Sequence, residues 1–423
     1  MGWCRFFTIM LLATMLVVSA NIACSESLDV LIDEALSNNP EIGASRARWQ
    51  MFVSKADQAG SLDDPMLMLG VQNLLVRDPA NFKRDATSAK VIGISQQLPF
   101  WGKRELRTEI AKAEAESYRF DVDERKLHLT KLVKEAWYNL YRLHVSLTIT
   151  DRKIELLEQL QSTAATRYQA GQGTQLEYLK AGVEKTKMLE KRLLLLQQQK
   201  SQQTTLNYLL NRSVDATVAV PSDLPLPAFN PDEKWLADLA AQHNPQLKSL
   251  SAQFEKGKAA HRLAQKELFP DFNLSFEYMF REPVHGSMGN DPGYNMFSLG
   301  LSFNLPLQKQ RRRAMQAESA SETALAASQL HAVENSIQLA LAYGLYQLNT
   351  KQQLVELYQD EIIPQAKMAA QSALINYQVG KGSYQAVLEE ELALQNYEQK
   401  LLDSKVDYLI VAATLEAVVG KSL

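Results

Sequence analysis

Two runs of strict alternation dominate the hydrophobic pattern. Phe272, Leu274, Phe276, Tyr278 and Phe280 occupy one parity; Asn273, Ser275 and Glu277 occupy the other, with Met279 the single apolar exception. A loop rich in turn formers follows (Pro283, Gly286, Gly289, Asn290, Asp291, Pro292, Gly293). Then Phe297, Leu299, Leu301, Phe303 and Leu305 alternate with Ser298, Gly300, Ser302 and Asn304. This period of two predicts strands over about 272–281 and 296–305. Each is about ten residues, the length a tilted strand needs to cross a bilayer. A soluble sheet with one face on a core gives the same alternation. The very long helical segments flanking the hairpin, and a second copy of the arrangement, favour a transmembrane hairpin.

That second copy lies in the first half. A short helix from Ser27 to Asn38, a break at Asn39-Pro40 and a helix to about Gly60 lead to candidate strands over about 66–75 (Leu67, Leu69, Val71 and Leu75 on one parity) and 90–98 (Ile92, Ile94 and Leu98). Lys103 to about Ala170 reads as one proline-free helix of roughly 100 Å. Gly171-Gln172-Gly173 interrupts it, and a second helix runs from Thr174 to Arg212. Pro221, Pro225, Pro227 and Pro231 mark a linker over 220–231. The second half repeats the order: Asn244-Pro245, the strand pair, a helix from Gln308 to Val379 with Pro364 as a kink, a Gly-Lys-Gly turn and a closing helix to Gly420. Corresponding positions lie about 205–209 residues apart throughout, giving repeats over 24–219 and 232–423.

Composition adds a compartment. Arg5, the apolar run Ile9–Val18 and Val18-Ser19-Ala20 read as a secretory signal over 1–23. Cys24 is the one cysteine beyond it, so no disulfide framework exists; Asn21-Ile22-Ala23-Cys24 is an imperfect lipoprotein box that makes Cys24 a candidate lipid anchor. A net charge of -3 gives no bulk signal for nucleic acid. No run beyond the signal approaches a spanning helix, and closed sheets are the other structure that satisfies the backbone in lipid.

Two copies of helix, strand, loop, strand, long helix, Tyr-x-x-Gly-x-Gly-[Ser/Thr] turn and helix resemble the TolC family of outer-membrane efflux ducts. The Leu98-Pro99-Phe100-Trp101-Gly102-Lys103-Arg104 junction is most similar to its heavy-metal branch, the cobalt–zinc–cadmium and copper–silver ducts. The resemblance implies a trimeric outer-membrane β-barrel, four strands per chain, continued by a periplasmic α-helical barrel. It also implies a periplasmic adaptor protein and an inner-membrane pump as partners, with no cofactor and no enzymatic activity. Strand arithmetic agrees with three copies: eight strands are filled by their own side chains, whereas twelve leave a lumen. A duct for type I protein secretion and a non-pore periplasmic coiled-coil protein are the alternatives.

The candidate sites follow from this frame. Tyr168, Gly171, Gly173, Tyr377, Gly380 and Gly382 form the expected adaptor-docking tip. There Gly171 and Gly380 serve as helix C′ caps, Thr174 and Ser383 as N-caps, and Thr174-Gln175-Leu176-Glu177 as a capping box. Glu177, Glu389, Glu390 and Glu391 are the candidate periplasmic gate, because successive helical residues point about 100° apart and at least one of the run should face a lumen. Phe100, Trp101, Lys103, Arg104, Arg107, Lys309, Arg311, Arg312 and Arg313 cluster at two helix starts, where cations oppose the macrodipole. Contact with anionic lipid headgroups explains them better. Small residues at Ala111, Ala115, Ala317, Ala320, Ala324 and Ala327 suit close helix approach. Met66, Met68, Met279 and Met296 tempt a soft-metal reading, but strand direction separates the two pairs, so gap filling is preferred and no metal site is assigned. The histidines are scattered and carry no metal or catalytic spacing.

Overall fold

A computed structural model describes residues 27–221, 223–227, 231–284 and 293–423. The signal segment, Cys24 and the loop positions Gly286, Gly289, Asn290, Asp291 and Pro292 lie outside the described residues. The elements run α1 (Leu28–Asn38), α2 (Pro40–Ala59), β1 (Met66–Gln72), β2 (Ala89–Leu98), α3 (Lys103–Gln169), α4 (Gln175–Leu210), α5 (Glu233–His243), α6 (Pro245–Lys266), β3 (Phe272–Arg281), β4 (Met296–Phe303), α7 (Lys309–Glu356), α8 (Ile363–Gln378) and α9 (Tyr384–Val419). Among the described residues no helix is long and apolar enough to cross a membrane.

Two compact units share these elements. Of the described residues, one comprises those within 27–42, 126–242 and 338–423; the other comprises those within 43–125 and 243–337. Each draws stretches from both halves of the chain.

The unit holding the sheet is built on the predicted alternation. Its four strands pair antiparallel in the order β1-β2-β3-β4. The register puts Leu67, Ile94, Phe276 and Leu299 in one cross-strand row, and Leu69, Ile92, Tyr278 and Phe297 in the next. Leu67, Leu69, Ile92, Ile94, Phe276, Phe297 and Leu299 all remain exposed on this face. The opposite face carries Ser95, Gly93, Asn273, Ser275, Glu277, Ser298 and Ser302.

Two strand ends differ from expectation. β1 stops at Gln72 rather than Leu75, because Asn73 turns left-handed (φ 54°) and the loop closes on it: its Nδ2 donates to the Thr87 carbonyl at 3.1 Å, and Ser88 Oγ donates to its carbonyl at 2.8 Å. β4 stops at Phe303 rather than Leu305, because the Asn304 side chain accepts from Asp271 N–H at 2.7 Å and Pro306 offers no donor. Gln96, on the apolar parity, reaches the Asp63 carbonyl at 2.7 Å, which satisfies an amide that would otherwise face an apolar surround.

In the same unit α6 approaches α7 through Gly257, where an added Cβ would sit 3.2 Å from Thr323 Cα, and through a 3.0 Å bond between His261 and Ser319. The face of α7 used here is Ser319, Thr323 and Ala326. Ala317, Ala320 and Ala324, expected at a close helix contact, are exposed in the single chain.

The other unit holds the larger core. Leu31 and Ala35 of α1 pack with Val133, Trp137 and Leu140 of α3 and with Leu206 and Leu210 of α4. Further along, Leu157 and Leu160 meet Ala181, Tyr377, Tyr384 and Val387. The kink expected at Pro364 is a π-helical turn, Leu357–Ile362, after which α8 starts with Pro364 in its first turn. Proline cannot donate to the preceding turn, and the wider turn absorbs the lost bond.

Candidate functional site

Three places carry the predicted functional residues: the sheet, the junction between strand and helix, and the helical tip.

At the junction the basic cluster separates into distinct roles. Gly102 turns left-handed (φ 81°) and delivers Lys103 to the start of α3. Lys103 is 1 % exposed, and its Nζ lies 2.9 Å from Asp271 Oδ1, 3.1 Å from Glu267 Oε2 and 3.1 Å from the Phe269 carbonyl. This corrects its assignment as a headgroup contact: two carboxylates and a carbonyl saturate the ammonium. Arg104 and Arg312 are partly engaged, donating through Nε to the carbonyls of Gly60 (2.8 Å) and Glu267 (2.7 Å). Arg107, Arg311 and Arg313 are exposed, and so is Trp101 at 74 %. Phe100 stacks on Phe269 at 4.6 Å, and Trp101 meets Phe272 at 5.7 Å, so an aromatic chain leads from the helix start onto the apolar face of the sheet.

Asp271 closes this knot. Burial pushes its carboxyl up, but the Phe100 N–H at 2.8 Å and the Lys103 ammonium outweigh burial and hold it below its ordinary value. A depressed acid contributes stability above its unfolded pKa and loses it as pH falls through the folded one. The junction should therefore weaken only below about pH 4. Lys103→Met should cost about 3 kcal/mol by stranding the two acids and should flatten that acid dependence. Thermal melts of the purified protein at pH 7 and pH 3 check both, and an acid dependence equal to wild type would contradict the assignment.

At the tip the repeats diverge. The first turn closes as a Schellman cap: Gly171 N–H donates to the Tyr168 carbonyl and Gln172 N–H to that of Arg167, with Gly171 at φ 71°. Gly380 and Lys381 repeat it on Tyr377 and Asn376, with Gly380 at φ 77°. The second glycine of each turn is there for another reason. An added Cβ would lie 3.2 Å from Arg167 Cβ at Gly173, and 3.1 Å from Asn376 Cβ at Gly382, so each packs flat on the helix end.

Ser383 caps α9 by accepting from Ala386 N–H at 3.2 Å. Thr174 makes no such bond, and the expected capping box does not form. Its glutamate is committed elsewhere: Tyr377 donates through its hydroxyl to Glu177 Oε2 at 3.2 Å. Tyr377 is 1 % exposed, which corrects its assignment as a docking surface; Tyr168, its counterpart, is exposed. Burial and then Glu177 push the Tyr377 phenol up to about 12, so it stays a donor. Arg167 completes the cluster. Its guanidinium lies 4.7 Å over the Tyr377 ring and donates to the carbonyls of Tyr377 and Gln172. Sequence reasoning missed Arg167. The available signal was the repeat itself, which sets an arginine against Asn376.

The glutamate run splits as helical geometry requires. Glu389 is exposed and Glu390 half-buried. Glu391 turns into the helix packing, 3.6 Å from Lys153, which is 4 % exposed. Burial pulls the Lys153 ammonium below its ordinary value, and Glu391 partly restores it. Glu391 is thus an internal counter-ion, and its assignment to an open acidic ring is corrected.

The four methionines lie on the polar sheet face, Met279 and Met296 as cross-strand partners and Met66 and Met68 on β1.

The comparisons with known proteins agree with this architecture. The family described as outer membrane efflux protein matches residues 31–212 and 236–421. No curated protein matches by sequence. Among solved structures, the outer membrane protein VceC of Vibrio cholerae superposes with a TM-score of 0.79 at 19% identity, covering 93% of this chain and 96% of its own. The CmeC outer membrane channel of Campylobacter jejuni gives 0.74 at 14% identity, covering 93% and 86%. The open state of the Neisseria gonorrhoeae MtrE outer membrane channel gives 0.71 at 16% identity, covering 94% and 89%.

Proposed function

We infer that this chain, which belongs to the outer membrane efflux protein family, is the exit duct of a tripartite efflux pump, most simply one driven by an RND-type transporter. It is an outer-membrane protein that extends into the periplasm. The observation that carries the reading is the sheet, which exposes an apolar face over Leu67, Leu69, Ile92, Ile94, Phe276 and Leu299 and leaves the outer edges of β1 and β4 unpaired among the described residues. Open edges have no place in lipid, so β4 of one copy pairs with β1 of the next until the sheet closes. Three copies give twelve strands, with the face bearing Asn273, Ser275, Glu277 and Ser298 turned to an aqueous lumen.

The helices support the same trimer. Leu339, Tyr343 and Tyr346 form an exposed apolar stripe on α7, and Leu189, Leu193 and Leu194 are exposed on α4. Stripes of this kind on a single chain are covered by neighbours. The tip around Tyr168, Gly171, Gly173, Gly380 and Gly382 meets the periplasmic adaptor. Glu177, held by Tyr377, is part of the gate, and Glu389 and Glu390 face the conduit. Trp101, Arg104, Arg107, Arg311, Arg312 and Arg313 contact lipid headgroups. Cargo is a metal ion or another small molecule passed from the pump, which sets the selectivity.

Deletion of the gene should sensitise cells to divalent metals or small toxic compounds. The wild-type protein should migrate as a heat-modifiable trimer from outer-membrane fractions. Unchanged sensitivity across metals and drugs, with the protein released by a carbonate wash, would replace the duct with a peripheral coiled-coil role.

A further inference from the structure

Just beside the junction, a cleft opens on the apolar side of the sheet. Its floor is Leu98, Phe272 and Leu301 from three adjacent strands, all on the lipid-facing parity. One wall is the Trp101 indole, exposed although apolar, and another is Leu62 after the end of α2. The rim is polar. Arg104 stands there, steadied by its Nε bond to the Gly60 carbonyl at 2.8 Å, and no other hydrogen bond among the described residues engages its terminal nitrogens. Glu105 is the neighbouring acid on the same rim.

An apolar slot that continues the membrane face and ends at a guanidinium fork suits one class of molecule. We propose that the cleft is a binding site for one glycerophospholipid of the inner leaflet, with an acyl chain on Leu98, Phe272 and Leu301 and its phosphate on Arg104. The terminal guanidinium nitrogens present parallel donors that match a phosphate. Glu105 then faces the ammonium of an ethanolamine headgroup. Two features recommend a lipid over a soluble ligand: the slot opens onto the bilayer-facing surface, and its floor has no polar group to orient anything but a chain. The bound lipid would wedge the helix start against the barrel rim in every copy. The inference rests on reading the apolar sheet face as the lipid-facing one.

The test is native mass spectrometry of the full-length protein, extracted in mild detergent as its native assembly and titrated with phosphatidylethanolamine. One tight lipid per chain is expected, distinct from a graded series of weaker adducts. Arg104→Gln should weaken that class about tenfold, the loss of a charge-assisted pair. Thr108→Trp, which fills the cleft from α3, should remove it. Retention of the same tight class by both variants, or a wild-type protein with only graded adducts, overturns the site and leaves the membrane reading standing. A protein that a carbonate wash strips from membranes overturns both.

Discussion

Phe276→Arg and Leu299→Arg should each leave almost no assembled protein in the outer membrane, whereas Ser298→Arg should assemble. Phe276 and Leu299 are register partners in the row that also holds Ile94 and Leu67, and Leu299 is 72 % exposed. On the lipid face a midplane arginine costs about 2–4 kcal/mol, and in a trimer it is paid three times, about 6–12 kcal/mol in all. That is comparable with the whole stability of a folded domain, about 5–15 kcal/mol. Ser298 sits one residue along on the other face, opposite Glu277, which would receive the new cation. Outer-membrane fractionation and heat-modifiable gel migration report the outcome. Equal damage from both faces would mean that the parity assignment is wrong.

This parity was legible in the sequence because a strand forces it. Successive side chains point to opposite faces, so a bilayer on one side and water on the other write themselves into alternate positions. Hence the register of Phe272–Arg281 with Met296–Phe303 agrees with the alternation read from residues alone. The tip turns were legible for a similar reason: a left-handed residue beyond a helix end selects glycine, and Gly171 and Gly380 both occupy it.

Contacts across long stretches of chain were not legible. Lys103 finds its counter-ions 164 and 168 residues away, and Tyr377 finds Glu177 at a separation of 200. A local pattern sees only that Lys103 is a cation at the wrong end of a helix dipole, and assigns it to lipid. It likewise sees the Thr174–Glu177 spacing as a capping box, with no means of knowing that a buried phenol competes for the glutamate. Glu389, Glu390 and Glu391 look alike in sequence. Only the packing of Lys153 separates the internal one from the other two.

The tip cluster carries the other large effect. Arg167→Ala and Tyr377→Phe should each hold the periplasmic end more open and raise single-channel conductance, while trimers still form. Arg167 contributes two bonds to carbonyls and a cation over the Tyr377 ring; Tyr377 contributes the bond to Glu177. Taking about 1 kcal/mol for each, Arg167→Ala should remove roughly 3 kcal/mol from the arrangement in which these contacts are made, a shift of about a hundredfold in its ratio to a state that lacks them. Assembly is spared because the apolar packing beneath, Leu157 and Leu160 against Val387, is untouched. Tyr377→Phe alone removes one bond and should open the end by a smaller factor. Glu389→Gln with Glu390→Gln should act differently. At the proposed gate a ring of these carboxylates would concentrate cations, so neutralising it should lower cation preference without changing how often the end opens. Planar-bilayer recordings separate the two effects, since one changes how often the end opens and the other changes which ions pass. If conductance is unchanged after Arg167→Ala, the cluster is a structural brace and the constriction lies elsewhere along the helices.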